Sequence, residues 1–162
     1  NKSYVTDKMP HNFIVSGLIH KMLPQAKIIY CYRDPMDNCF SLYRNTFGTS
    51  GHGYSYDQSK LVTHYNLHVQ LMKHWKSILG NKIFLLKNEK LIDNQKEITS
   101  NLLKYCGLAW EDQCLEFYKT KRDVRTISIR QVRNPINKNS LGVWKNYADS
   151  LSKMQDNLVE FT

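Results

Sequence analysis

The feature of this 162-residue sequence that most constrains its fold is a short apolar run followed at once by a charged turn. Residues 27–32 are almost continuously apolar, which is typical of a parallel strand covered on both faces. The run ends at Arg33, and the next two residues are suited to begin a helix, Asp34 as its cap and Pro35 as its first residue. This stretch therefore predicts a strand, a polar turn and a helix in succession.

The same succession recurs along the chain. Residues 4–6 predict a first strand, and apolar residues at helical spacing over 13–22 predict a helix after it. A long amphipathic helix is predicted over residues 61–79, and residues 82–87 predict a third strand. Alternating strands and helices indicate an α/β fold with a parallel sheet flanked by helices. The length fits a single domain over residues 1–162.

Composition narrows the class of partner and the compartment. With 23 Lys and Arg against 14 Asp and Glu the chain carries a formal charge of +9, which favours an anionic partner. Its longest apolar stretch is far shorter than the roughly 20 residues of a membrane-spanning helix, so none is predicted. The four cysteines form no C-x-x-C motif, and Cys31 and Cys106 lie where buried, reduced thiols are expected. This usage favours a cytoplasmic protein.

Two cations follow predicted strands. Lys8 comes after the first strand and Arg33 after the second, and ligands of parallel sheets bind beyond the carboxyl ends of the strands. Ser41 lies two helical turns after Asp34, on the same helix face. Arg33, Ser41 and the helix N-terminus therefore predict a phosphate clamp. In the alternative interpretation, Arg33 pairs with a local carboxylate and Ser41 has no special role.

Other candidate sites give weaker signals. Residues 124–148 contain five basic residues and no acidic one, as expected of an arm over a ligand or of a solvated loop. His64 and His68 stand four apart on the long predicted helix, but without a third ligand nearby we expect them to be structural rather than metal ligands. His11 follows Lys8 closely enough to contact the same site.

Several short motifs occur in the order in which a known family has them. They are Lys8-Met9-Pro10, Arg33-Asp34-Pro35-x-Asp37-x-x-x-Ser41, Asn88-Glu89-Lys90-Leu91 and Ser128-x-x-Gln131-Val132-Arg133-x-Pro135. In this the chain resembles the sulfotransferases that use 3′-phosphoadenosine 5′-phosphosulfate (PAPS), above all the tyrosylprotein-sulfotransferase-like branch, often attached to tetratricopeptide repeats in bacteria. The resemblance implies the C-terminal portion of a P-loop-like sulfotransferase fold. The first strand, the phosphosulfate loop and the acceptor's base would precede Asn1.

The resemblance also implies roles for single residues. Lys8 would be catalytic, stabilising charge on the oxygen that leaves the transferred sulfonyl group. Arg33 and Ser41 would bind the 3′-phosphate of PAPS. The segment that wraps the nucleotide would contribute Ser128, Gln131, Arg133 and Pro135. The acceptor would be a hydroxyl group, with a protein tyrosine as one candidate, and neither a metal nor a nucleic acid is implied.

Departures from the family pattern and three rival functions accompany this interpretation. The family has a tyrosine where this chain has Asn88, which removes an expected contact to the nucleotide. Without the phosphosulfate loop, the fragment alone is expected to be inactive. A basic nucleic-acid-binding module, a P-loop kinase-like nucleotide enzyme and a degenerate remnant that only binds are the alternatives.

Overall fold

The sheet in the described part of the protein is a parallel pair of strands. The computed structural model describes residues 4–47, 51–120 and 131–161. Strand β1 (Ile28–Tyr32) pairs with β2 (Ile83–Lys87), with Ile28 opposite Ile83. Both strands lie within one residue of their predicted positions. The parallel α/β architecture expected from the sequence, a sheet flanked by helices, is confirmed.

Helices flank this pair. The described α-helices are α1 (Ser16–Met22), α2 (Pro35–Tyr43), α3 (Gln58–Leu79), α4 (Asn88–Asp93), α5 (Gln95–Cys106) and α6 (Ser152–Asn157). The described 3-10 helices are Pro10–Val15, Gly53–Tyr56, Gly80–Lys82, Asp112–Leu115, Phe117–Lys119, Gln131–Arg133 and Val143–Ser150. The connection from β1 to β2 runs through α2 and α3, as parallel strands require. Within the described ranges, no helix combines the length and the apolar character needed to cross a membrane.

Helix α3 organises the core because its apolar stripe faces two neighbours. Towards α2 and α6 it buries Leu61, which packs in one cluster with Phe40 and Met154. Towards the sheet it buries Met72, which packs with Tyr30. Each fully buried side chain of this size contributes roughly 1.5–3 kcal/mol to folding. The two clusters fix the strand ends relative to α2.

The segment before the sheet lies on α3 through aromatic contacts. The indole Nε1 of Trp75 donates a hydrogen bond to the carbonyl of Phe13 at 2.7 Å. A Cβ atom at Gly17 would stand 2.5 Å from the Trp75 ring, so only glycine allows α1 to approach this closely. The Phe13 ring packs edge-on against His68, with centroids 4.6 Å apart. These contacts hold the 3-10 helix Pro10–Val15 against α3.

Two expectations about the strands are wrong. Residues 4–6 form no strand, because a strand requires a hydrogen-bonded neighbour and the described residues provide none for them. One face of β1 is also open, with Cys31 exposed and Ile29 39% exposed, because none of the described elements packs over it. Cys31 is thus an exposed residue, whereas Cys39 is buried. All four cysteines are unpaired.

Candidate functional site

The candidate site begins where β1 ends and α2 starts. Arg33 is the first residue beyond β1, and the Asp34 carboxylate accepts a hydrogen bond from the backbone N–H of Asp37 at 2.8 Å. Pro35 is the first helical residue, so the predicted cap is confirmed. The cap fixes the first turn of α2, which places Arg33 at the carboxyl end of the sheet.

Among the described residues, Arg33 has two partners. Its Nη2 lies 3.7 Å from Oδ2 of Asp37 and donates a hydrogen bond to the carbonyl of Ser140 at 3.2 Å. The predicted alternative, pairing with a local carboxylate, is thus present. Both contacts use Nη2 alone, and the buried Nε has no hydrogen-bond partner among the described residues. A guanidinium has five N–H donors, so this pairing leaves donors for an anion.

Asp37 is the most buried charged group at the site, with 5% of its side chain exposed. Its Oδ1 accepts a hydrogen bond from the backbone N–H of Gly142 at 2.8 Å. Burial raises the pKa of the Asp37 carboxyl, an effect that the Gly142 N–H and the Arg33 guanidinium offset in part. Gly142 has φ +68°, a left-handed conformation that suits glycine.

Residues 138–142, which we call the strap, cross this site. At one end Lys138 forms an ion pair with Asp93, with Nζ and Oδ1 2.6 Å apart. In the middle Ser140 accepts the hydrogen bond from Arg33, and at the other end Gly142 donates to Asp37. The strap therefore contacts both members of the Arg33–Asp37 pair.

Glu89 ties the second strand to the same turn. It is the second residue of α4, and its Oε1 accepts a hydrogen bond from the backbone N–H of Asp34 at 2.8 Å. Its buried Oε2 has no partner among the described residues. The N–H groups of Asp34 and Asp37 are thus engaged within the protein. These two N–H groups are therefore not free to bind an anion, and the phosphate clamp stays a prediction.

Ser41 lies one turn beyond Asp37 on α2, and residues four apart share one side of a helix. Its side chain is half-buried, and its carbonyl accepts a hydrogen bond from the side chain of Asn45. Arg33, Asp37 and Ser41 therefore follow one another at intervals of four residues. Phosphate binding by Ser41 stays a prediction.

Lys8 lies in the irregular segment before Pro10–Val15 and is exposed. Its position depends on its neighbours, because His11 and Phe13 hold the segment on α3. The His11 ring stacks on His52 at 6.4 Å between centroids and meets His64 edge-on at 6.2 Å. The structure gives no contact between Lys8 and Arg33, so the catalytic role of Lys8 stays a prediction.

His64 and His68 belong to an aromatic cluster, as their structural interpretation predicts. The His64 ring stacks on Tyr54 with centroids 3.9 Å apart, and His68 packs between Phe13 and Tyr30. Burial lowers the pKa of His64, and burial with the nearby His64 lowers the pKa of His68 to about 4. Within residues 4–47, 51–120 and 131–161, no three potential ligand side chains are placed to hold a metal ion.

The predicted nucleotide-wrapping residues are partly described. Ser128 lies outside the described residues, and Gln131 begins the 3-10 helix Gln131–Arg133. The Arg133 guanidinium donates a hydrogen bond to the carbonyl of Thr120, and Pro135 is exposed. Their role toward a nucleotide stays a prediction.

Sequence reasoning missed two functions in this site. Asp37 was named only within the Arg33-Asp34-Pro35-x-Asp37 motif, although an acid three residues after a cap is a known position for backbone contacts. Glu89 had no periodic signal, and only its place in the Asn88-Glu89-Lys90-Leu91 motif pointed to it. Both residues act through backbone N–H groups far away in sequence.

Comparison with known proteins places this sequence in a family. The sequence model of the "Sulfotransferase family" matches residues 1–112, more than half of the chain. The chain is similar to an uncharacterised protein of Aquifex aeolicus (strain VF5), with 38% identity over 160 residues. That match covers 96% of this chain and 21% of the relative, so the chain spans about a fifth of the relative's length. The protein belongs to the sulfotransferase family.

Proposed function

We propose that this chain is part of an enzyme that transfers a sulfonyl group from PAPS to a hydroxyl acceptor, with a protein tyrosine as the acceptor to test first. The observation that carries the proposal is Arg33, which lies at the carboxyl end of β1 and keeps donors that no described residue uses. Membership of the sulfotransferase family supports the reaction class. A cytoplasmic location remains part of the proposal.

In the proposed reaction, the acceptor oxygen attacks the sulfur atom of PAPS. A new S–O bond forms, the S–O bond to the 5′-phosphate breaks, and adenosine 3′,5′-bisphosphate (PAP) leaves. The acceptor hydroxyl passes its proton to the general base that the family resemblance implies. Lys8 would stabilise the negative charge that develops on the leaving oxygen, since an ammonium group near that atom acts most strongly in the transition state. The chemistry is mainly positioning and charge stabilisation, as in phosphoryl transfer.

The charges around Arg33 determine how the 3′-phosphate would be held. The Asp37 carboxylate contacts the Arg33 guanidinium, while the carboxylates of Asp34 and Glu89 accept hydrogen bonds from backbone N–H groups at the start of α2. This arrangement orients Arg33 but adds no positive charge. We therefore expect the phosphate to be held by the remaining Arg33 donors and Ser41, with further cations from residues 124–148.

The test separates chemistry from nucleotide binding in the full-length protein. PAP release and sulfated product are measured with PAPS and tyrosine peptides, for the wild type, Lys8→Ala and the control Lys21→Ala, which removes an exposed lysine of α1. We expect Lys8→Ala to lower kcat about 100-fold and to leave PAP affinity within about 3-fold, because the lysine acts on the transition state. A loss confined to binding would contradict this role.

The same assay distinguishes the main rival. A nucleic-acid-binding module would bind duplex DNA with a steep salt dependence, because counterions are released on binding, and would not turn over PAPS. That result would contradict the proposed function.

A further inference from the structure

Asp37 joins two parts of the chain that are far apart in sequence. One carboxylate oxygen accepts a hydrogen bond from the N–H of Gly142, 105 residues away, and the other faces the guanidinium of Arg33. Arg33 in turn donates to Ser140 of the strap. These contacts form a closed polar ring of Arg33, Asp37 and the strap.

A purely structural role does not account for this carboxylate. An acidic residue in the first turn of a helix gains roughly 0.3–1 kcal/mol from the helix dipole when it is exposed. Asp37 is buried, and burial raises its pKa, so its charge carries a desolvation cost. An asparagine would accept the Gly142 N–H equally well without this cost. The charge matters for the neighbour that only a carboxylate can orient, the Arg33 guanidinium.

We propose that Asp37 is a positioning residue that couples anion binding at Arg33 to closure of the strap. This inference rests on the proposed function, in which Arg33 binds the 3′-phosphate. Asp37 contacts the Arg33 guanidinium through Oδ2 and accepts the hydrogen bond from Gly142 of the strap through Oδ1. A phosphate that orders Arg33 therefore also orders the strap. The strap directly follows the segment predicted to wrap the nucleotide, which makes such coupling useful for retaining it.

Two substitutions separate the contacts of Asp37. Asp37→Asn keeps an oxygen to accept the Gly142 N–H but can turn an amide N–H toward Arg33, whereas Asp37→Ala removes both contacts. Asp156→Asn, at an exposed position of α6, is the matched control. The full-length protein is studied by calorimetric titration with PAP and by hydrogen exchange of the strap amides, with and without PAP.

In the wild type and the control, we expect PAP to slow exchange at the Gly142 amide. Asp37→Asn should keep wild-type exchange without PAP, bind PAP about 10-fold more weakly and lose most of the PAP-dependent protection, in the range usual for a coupling between two sites. Asp37→Ala should exchange at Gly142 about 10-fold faster even without PAP, because the N–H has lost its acceptor.

The outcomes distinguish this proposal from the function on which it rests. If Asp37→Asn binds PAP as tightly as the wild type or more tightly, with the same protection of the strap, the carboxylate acts only as a local negative charge or as an acceptor, and the coupling is wrong. If the wild type binds no PAP, the proposed function itself fails. Unchanged Gly142 exchange in Asp37→Ala without PAP would contradict the anchoring of the strap by Asp37, whatever the nucleotide does.

Discussion

The two ends of the proposed donor site, at Arg33 and at Lys8, are held in place by different kinds of interaction. Arg33 lies in a network of hydrogen bonds in which Asp34, Asp37 and Glu89 each bind a backbone N–H at 2.8 Å. Lys8 lies in an irregular segment held on α3 by ring packing and by one hydrogen bond from Trp75. The phosphate end is thus fixed by charges and amides, and the sulfonyl end by aromatic contacts.

This difference predicts which changes affect which end. Altered charge at Arg33 or Asp37 should change nucleotide binding with little effect on the packing of α3. Altered packing or protonation around His11, Phe13 and His68 should loosen the Lys8 segment and lower turnover, with little effect on PAP affinity. The comparison fails if both ends respond alike.

For the Lys8 end of the site, which is held by aromatic packing, the largest expected effect is a loss of folding stability at acidic pH. The pKa of His68 is about 4 in the folded protein and about 6.5 when unfolded, so the unfolded chain takes up a proton first as pH falls. The contribution of neutral His68 to the free energy of unfolding should be fully present above pH 6.5. The free energy of unfolding should fall by about 2–3 kcal/mol as pH decreases to 4. Urea unfolding across this range, compared between the wild type and His68→Asn, isolates the contribution.

The control for this measurement is His74→Asn, which replaces an exposed histidine of the same helix. His74→Asn should keep the wild-type pH dependence, whereas His68→Asn should flatten it. Equal slopes for the wild type and His68→Asn would show that His68 titrates normally, and the aromatic account of this end would be wrong.

A smaller effect is expected from filling the contact between α1 and α3. In Gly17→Ala the new Cβ meets the Trp75 ring at 2.5 Å, and the indole is held by its bond to Phe13. Overpacking costs about 1–3 kcal/mol, and the higher helix propensity of alanine returns up to about 1 kcal/mol. We therefore expect the free energy of unfolding in urea to fall by about 1–2 kcal/mol. PAP affinity should stay unchanged and turnover should fall.

Gly53→Ala provides the comparison, because a Cβ there meets no atom within 4 Å. Its stability should match the wild type within about 0.5 kcal/mol. A Gly17→Ala protein as stable as Gly53→Ala would mean that Trp75 can move aside and that the Lys8 segment is not held as described.

Local chemistry made much of the fold predictable. The turn from β1 to α2 follows from Asp34 and Pro35, whose capping and backbone preferences act within a few residues. The long α3 follows from its apolar periodicity, which needs no knowledge of its partners. Arg33 could be singled out because a cation directly after a buried strand has a defined place in a parallel sheet.

The remaining features depend on contacts that spacing does not encode. Asp37 meets Gly142 across 105 residues, and Glu89 meets Asp34 across 55, so neither hydrogen bond leaves a local pattern. Residues 4–6 have β propensity, but propensity forms no strand without a neighbour. Cys31 was expected to be buried because apolar periodicity shows which residues could be covered and not whether an element covers them.

The most direct test of the central claim is calorimetric titration of the full-length protein with PAP. The wild type is compared with Arg33→Ala and with Lys104→Ala, which removes one exposed positive charge on α5. We expect Arg33→Ala to weaken binding about 100-fold, or about 3 kcal/mol, because it removes a charge-assisted bond to phosphate. Lys104→Ala should stay within about 2-fold of the wild type, since it lies outside the site. Equal PAP affinity for the wild type and Arg33→Ala would contradict the account.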